Sequence, residues 1–332
     1  MNALSKAAAT AALLCASSAS WAWGSAGHQT IGTIAAKLIQ GTNAEREVQA
    51  LLGELSLADI SVWPDCAKAI SPTQGYKYLN EGKYKGCKVL ETPEREAEMA
   101  DFVRRNDTQC QPKAGEERCH KQYHYTDIAI QRSTYTLGPV GTRDDDIVGA
   151  VVAATHVLKG EPAAAPFDIK DKREALLLLV HYVGDLHQPL HVGAIYLNQK
   201  GVKVDPDKGP YDPKTATRGG NSIALKSTDL HSMWDDVLDT QTASRVDARW
   251  LGHAKLVHDT PGDVYTWPQH WASDTLLGAR TAYKGMTFTV VQGKGWKASV
   301  PAGYTSRMNT LKRAQLTAAG AHLAELLQAI WP

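Results

Sequence analysis

The sequence predicts a mostly α-helical fold, and three observations predict it. Apolar residues recur at helical spacing in several separate stretches, histidine and aspartate stand four apart in two of them, and no internal repeat or linker-like break divides the chain. Ile31, Ile34, Ala35, Leu38 and Ile39 follow the i, i+3, i+4, i+7, i+8 rule of an amphipathic helix, with His28 three residues ahead on or beside the buried face. A second helical pattern runs from Asn43 to Leu57 and ends before Trp63-Pro64-Asp65, which reads as a rigid turn. Residues 70–90, rich in Gly, Tyr, Lys and Pro, read as loop. Thr92-Pro93 opens a helix, with Thr as N-cap and Pro in the first position. Residues 106–119 are polar, hold two cysteines and read as a stapled loop. Asp144-Asp145-Asp146 puts negative charge where a helix dipole favours it, ahead of Ile147, Val148, Val151, Val152 and Leu158; Gly160 and Pro162 end that helix. The apolar run Ala175 to Val180 leads into a helix through His181 and Asp185. Pro189 disfavours helix at Gln188, so the chain bends there and swings His191 back toward the same neighbourhood. Residues 194–222 form the longest turn-rich region, a functional or hairpin-bearing loop. Helical patterns resume around Leu230–Leu238, Ala243–His258, Trp267–Tyr283 and Met308–Ile330, and residues 286–300 suggest a small hairpin.

The first 22 residues read as a secretory signal. Lys6 supplies the positive n-region, Ala7 to Ala16 the short apolar stretch, and Ser20-Trp21-Ala22 small residues at the −3 and −1 positions of a cleavage site. That stretch is too short for a membrane span, and no other approaches the necessary length. Cleavage between Ala22 and Trp23 leaves residues 23–332 as one domain, expected in the periplasm or outside the cell as a monomer without a membrane anchor. Cys66, Cys87, Cys110 and Cys119 then remain, and in an exported chain they fit two disulfides with three possible connectivities. The local pairings Cys66–Cys87 and Cys110–Cys119 are favoured, and no CxxC pair of a cysteine–zinc site occurs. A formal net charge of +1 argues against nucleic-acid binding by overall charge. Any anion must meet a local positive charge, which metal ions can supply.

Within His181-Tyr-Val-Gly-Asp185-Leu-His187-Gln-Pro189-Leu-His191, His181 and Asp185 fall one turn apart on one helix face, and His191 follows the bend. Two imidazoles and a carboxylate make a borderline-hard donor set for which zinc is the first candidate. His231-Ser-Met-Trp-Asp235 repeats the i, i+4 arrangement, and His124-Tyr125-Thr126-Asp127 sets another histidine beside an aromatic and a carboxylate. Trp23-Gly-Ser-Ala-Gly-His28 lies at the expected mature N-terminus, where a free α-amine with a reference pKa near about 8 is itself a nitrogen donor.

The ordered set WGxxGH (23–28), WPD (63–65), HYTD (124–127), HYVGDLHQPLH (181–191), GGN (219–221) and LHSMWD (230–235) resembles the zinc-dependent single-strand nucleases of fungi and plants, which share a fold with bacterial zinc phospholipase C. The resemblance runs from Trp23 to about Asp235, and the later helices fit the same architecture. It implies an all-α domain of the phospholipase C/nuclease type with a trinuclear zinc cleft and nine ligands. Asp65, His124, His181 and Asp185 would hold one zinc; Trp23 (through its amine and carbonyl), His28 and a shared Asp185 a second; His191, His231 and Asp235 the third. It further implies hydrolysis of single-stranded DNA and RNA to 5′-mononucleotides by a metal-activated hydroxide, with 3′-nucleotidase activity on nucleotides. Asp65 would orient the nucleophile, Lys68 would meet the phosphate and Tyr125 would stack an unpaired base, with Asn221 and Asp127 near the substrate. Trp-Pro-Asp departs from the commoner Trp-Ala-Asp of the family but keeps the ligand Asp65. His187 matches no ligand position, and His120, His156, His253, His258, His270 and His322 fall outside the motifs. A zinc phospholipase C is the alternative, and a metal-binding protein without catalysis a third reading. The GGN stretch and the aromatic after His124 favour the nuclease.

Overall fold

A computed structural model describes residues 23–107 and 119–332. Helix α1 (Gly24–Leu38) buries Ile31, Ile34 and Ala35 together with His28, as its spacing predicts. The second helical pattern divides: α2 (Asn43–Leu52) is capped by Thr42 and ends at Gly53, whose φ of 62° an L-residue adopts only with strain. A Ser56/Asp59 capping box then starts the single turn α3 (Leu57–Ile60). The Trp63-Pro64-Asp65 stretch is not a bare turn but the helix α4 (Trp63–Ala67), because proline at a first-turn position fits a helix start. Strands β1 (Ile70–Ser71) and β2 (Lys77–Tyr78) pair antiparallel inside the expected loop, and a 3-10 turn, Lys85–Leu90, follows them. Helix α5 (Pro93–Asn106) starts as predicted, with the Thr92 hydroxyl accepting from the Arg95 amide.

Beyond the second described boundary come strand β3 (Ile128–Ala129) and helix α6 (Ile147–Leu158), whose cap Asp146 accepts from the amides of Val148 and Gly149. Helix α7 (Lys172–Leu186) is buried continuously from Glu174 to Leu186, so it runs through the core instead of lying on it. Gln188 is extended, and Pro189 opens the one-turn helix α8 (Pro189–Val192). Strands β4 (Gly193–Ala194), β5 (Tyr196–Leu197), β6 (Lys203–Val204) and β7 (Ile223–Ala224) lie in the turn-rich region, with β5 and β6 an antiparallel pair. Helices α9 (Leu230–Asp235), α10 (Ala248–Ala254) and α11 (Trp267–Ala282) come next. The 286–300 hairpin is β8 (Thr287–Val291) with β9 (Gly295–Ser299), and β9 also takes β7 in parallel. Helix α12 (Tyr304–Ile330) closes the fold.

The fold is mostly helical, with four small sheets among the described residues. Among the described residues the main apolar core draws on residues from Trp23 to Trp331, and two smaller clusters, one around Leu190, Trp234 and Tyr283 and one around Ala129 and Tyr196, lie apart from it. Helix α12 crosses α1 closely enough that a Cβ on Gly320 would come within 2.5 Å of the Ile34 Cβ. Gly32 lets α1 approach α3: a Cβ there would sit 2.6 Å from the Leu57 carbonyl oxygen. Among the described residues, no helix is long and apolar enough to cross a membrane. Cys66 and Cys87 are joined by a disulfide, tying the 3-10 turn to α4. Cys119 is disulfide-bonded, and the expected partner Cys110 lies outside the described residues. The expected signal, residues 1–22, lies outside them as well.

Candidate metal centre

Three buried groups of donors meet around the C-terminal half of α7 and the turn after it: His28, His181 and Asp185; Asp65, His124 and His181; His191, His231 and Asp235. In each group the nearest donor atoms lie within 4.8 Å of one another. The helical spacing puts His181 Nε2 3.0 Å from Asp185 Oδ2. The turn and α4 bring Asp65 to the same point, its Oδ1 3.7 Å from His181 Nε2 and 3.8 Å from His124 Nδ1. His124 Nδ1 is 2.9 Å from Asp185 Oδ2, and His28 Nε2 on α1 is 3.1 Å from Asp185 Oδ1. Asp185 therefore faces donors from its own helix and from two other segments with its two oxygens. Trp23, first in the described chain, is wholly buried, with a left-handed φ of 35°. Gly24 beside it approaches the Asp235 carbonyl, where a Cβ would sit at 3.2 Å.

The third group is assembled by backbone pairing. Strands β3 and β4 run parallel in register Ile128 with Gly193, Thr126 N–H donates to the His191 carbonyl at 2.8 Å, and His191 Nδ1–H donates to the His124 carbonyl at 2.7 Å. His231 Nδ1–H likewise donates to the Gly219 carbonyl at 2.8 Å. A Cβ on Gly219 (φ 54°) would overlap the Leu190 carbonyl, which is why glycine stands there.

Whether this set suits a metal can be tested on its own hydrogen bonds. A carbonyl only accepts, so the Nδ1 atoms of His191 and His231 carry protons, and in the neutral rings both Nε2 atoms are lone pairs. Those two lone pairs face each other at 3.1 Å. No hydrogen bond joins such a pair; a cation between them does. Two imidazoles on one tetrahedral zinc, at about 2.0–2.1 Å each, have nitrogens about 3.3 Å apart. His181 repeats the pattern, its Nδ1–H on the Ser61 carbonyl at 2.7 Å and its Nε2 turned to the other donors. Asp65 Oδ2 and His124 Nε2 are buried without a hydrogen-bond partner among the described residues. The donors fit zinc.

The electrostatics agree for three of the imidazoles; for His181, burial is outweighed by Asp185 and Asp65, which raise its pKa. Burial, with the neighbouring His181, lowers the His28 pKa; burial and the Lys68 charge hold His124 well below its ordinary value; burial takes His191 down to about 3. These rings are neutral near pH 7, the form that binds a metal. Burial opposes ionisation of Asp185, but His181 and His191 outweigh it and hold its carboxyl well below the usual range. Burial pushes Asp235 up to about 7.

The remaining predicted residues lie at or near this cluster. Lys68 Nζ pairs with Asp65 Oδ1 at 2.8 Å and is 13% exposed. Tyr125, half-buried, donates its hydroxyl to Gln122 Oε1 at 2.9 Å. Asp127, also half-buried, is held through its backbone: its amide donates to the Gly141 carbonyl and its carbonyl accepts from the Tyr196 hydroxyl. Asn221 is exposed, and its Nδ2 donates to the Arg218 carbonyl at 2.9 Å, closing the turn that carries Gly219. His187 turns away from the three groups, donating Nδ1–H to the Val183 carbonyl and meeting His322 Nδ1 at 2.7 Å. Gln188 escaped the sequence reading. Its Nε2 donates to Asp235 Oδ1 at 2.8 Å and its Oε1 accepts from the Leu190 amide, while Asp235 Oδ2 faces His231 Nε2 at 3.5 Å. The only sequence signal was a polar residue wedged between His187 and Pro189 inside the motif.

The S1/P1 nuclease family profile matches residues 23–332. Nuclease S1 of Aspergillus oryzae (strain ATCC 42149 / RIB 40) is 24% identical over 77% of this chain, an alignment that spans 66% of its own length. Endonuclease 5 of Arabidopsis thaliana is 23% identical over 93% of this chain and 90% of its own, and Endonuclease 1 of the same plant 24% identical over 82% and 78%. With the match running from Trp23 to the last residue, the chain belongs to the S1/P1 nuclease family.

Proposed function

We propose that the protein is an exported, monomeric, zinc-dependent endonuclease that hydrolyses phosphodiester bonds of single-stranded DNA and RNA to 5′-mononucleotides, with 3′-nucleotidase activity. The observation that carries this reading is the gathering of eight buried imidazole and carboxylate side chains into three adjacent groups, in a chain matched along 23–332 by a nuclease family.

Asp65, His124, His181 and Asp185 would hold one zinc, Trp23, His28 and Asp185 a second, and His191, His231 and Asp235 the third. Zinc held by these residues would supply an acidified water near neutral pH and positive charge for a phosphoryl group. Three carboxylates offset half of the six positive charges, so the cleft attracts a phosphodiester although the whole chain is nearly neutral. Asp65 Oδ2 accepts a hydrogen from the attacking water and orients it. Lys68, tethered by its ion pair with Asp65, offers its ammonium to a non-bridging phosphoryl oxygen. The Tyr125 ring stacks the base next to the scissile bond, a contact that only an unpaired base can make, and Asp127 and Asn221 contribute polar contacts beside it.

Single-stranded DNA, single-stranded RNA, duplex DNA and phosphatidylcholine are offered to residues 23–332 with zinc and after chelation, and the products are identified by mass. Zinc-dependent release of 5′-mononucleotides from the single strands is the expected result. Cleavage of the lipid headgroup without release of nucleotides would overturn the reading.

A further inference from the structure

Between Pro72 and Val89 lies a stretch that the metal cluster does not use: Tyr76-Lys77-Tyr78, then Lys83-Tyr84-Lys85 and Lys88, four lysines with three tyrosines among them. Residues 70–91 hold no other charge than these lysines, Glu81 and Glu91. Glu91 is occupied, accepting from the Tyr78 hydroxyl and the Gly82 amide at 3.2 and 3.0 Å. All four lysines are exposed, and none has an ion-pair partner among the described residues.

Three features fix the segment beside the metal groups. Cys87 is bonded to Cys66, the residue after Asp65. The Lys85–Leu90 turn packs on α3 and α4. Gly86 lies so close to Ser25, in the first turn of α1 and three residues before His28, that a Cβ at Gly86 would overlap the serine side chain. Lys85 and Lys88 thus flank a covalently anchored turn at the edge of the cluster. Farther out, Arg104 lies over the Tyr76 ring, 4.7 Å from its centroid, and Lys83 over the Tyr84 ring at 5.0 Å. Tyr76 holds a left-handed φ of 61°, a strained conformation for a bulky residue, next to Gly75 at 72°. Cationic groups interleaved with aromatic rings are the elements by which proteins hold an unpaired strand, through its phosphates and its base faces.

We propose that the disulfide-anchored segment 72–89 is a binding surface for the single strand flanking the scissile bond, with Lys83, Lys85 and Lys88 on its phosphates and Tyr76 and Tyr84 beneath its bases. This rests on the nuclease reading above and extends it: the enzyme grips a strand of several nucleotides, not only the residue being cut. Long strands then bind better than dinucleotides, and the advantage fades with salt.

The test compares the zinc-loaded protein with its Lys83→Ala/Lys85→Ala/Lys88→Ala variant on a 20-nucleotide strand and a dinucleotide, alongside binding of an uncleavable phosphorothioate strand by fluorescence anisotropy. The ratio of kcat/KM on the strand to that on the dinucleotide should fall about tenfold, and the slope of log affinity against log salt should shrink by up to about 2, near 0.7 for each phosphate no longer neutralised. The matching triple Arg variant should restore both. An unchanged ratio, an equal loss on both substrates, or lysine-dependent binding of anionic vesicles but not of the strand would overturn the proposal. The two readings fail separately: cutting without lysine dependence removes this surface alone, whereas lysine-dependent binding without cutting removes the catalytic reading alone.

Discussion

At the scale of single residues, Asp185 has the largest share of the proposed chemistry. Both of its oxygens are buried, and they meet His28, His124 and His181 within 3.1 Å. Asp185→Asn keeps the volume and removes the charge, so it should empty two of the three sites and lower activity by on the order of 10³. Metal analysis of the purified variant checks this, and a retained full complement contradicts it. Gln188 acts through Asp235: losing its 2.8 Å hydrogen bond frees the carboxylate to rotate. Gln188→Leu should weaken metal binding at the third site by about 10–100-fold, measured by competition with a chromophoric chelator, while the Glu variant, which cannot donate when ionised, should not rescue it. His28, Asp65 and His124 entered through the resemblance of the ordered motifs, and His191 through the bend before Pro189. His181 with Asp185, and His231 with Asp235, were legible in the sequence because helix geometry turns a spacing of four into a shared face. Gln188 was not, because a single amide has no spacing signature. The carbonyls of Ser61, His124 and Gly219 that orient three of the imidazoles were invisible for a stronger reason: every residue has one.

At the scale of elements, the site depends on how closely α1, α4 and α7 are held. The Cys66–Cys87 disulfide, with a sequence separation of 21, restrains the unfolded chain as well as anchoring α4. Replacing both cysteines by alanine should cost about 3 kcal/mol in urea unfolding. Gly320 is where α12 meets α1, and Gly320→Ala should cost about 1–3 kcal/mol by pressing a methyl group on Ile34. A stability equal to the parent's would show that the helices can part without loss. The helices that the sequence placed well, α1, α5 and α6, have either a strong apolar period or an explicit cap. Sequence and structure differ where one local signal is overridden by its neighbours. A single glycine at 53 cuts the Asn43–Leu57 pattern in two, and Pro64, a turn former by local preference, sits in the first turn of a helix. The two-residue strands that pair β3 with β4 were unreadable because their partners are distant in sequence and too short to show a period.

For the molecule as a whole, several histidines outside the metal groups share one behaviour. Burial depresses His120 to about 3, His187 to about 4 and His322 to about 2. The unfolded chain protonates these rings near pH 6.5, so between that value and the folded values it binds more protons than the native state. Stability from these residues is therefore complete above about pH 6.5 and is lost as the pH falls toward 4 and below. The urea midpoint should drop steadily from pH 7 to pH 4.5, and less steeply in His322→Gln, which keeps a donor toward His187 without a titrating ring. An equal slope in both proteins would count against this. The proposed export would add a second property of the whole chain. If the Trp23 amine is a ligand, one alanine inserted before Trp23 should lower zinc content and activity together, so that removal of the signal completes the site.

Native mass spectrometry of residues 23–332 counts the ions that the proposed ligands hold. Three zinc ions per chain are expected, lost together with nuclease activity on chelation and regained together on adding zinc. A chain that folds and cuts single strands with no zinc bound, or that binds one ion only, would contradict that expectation.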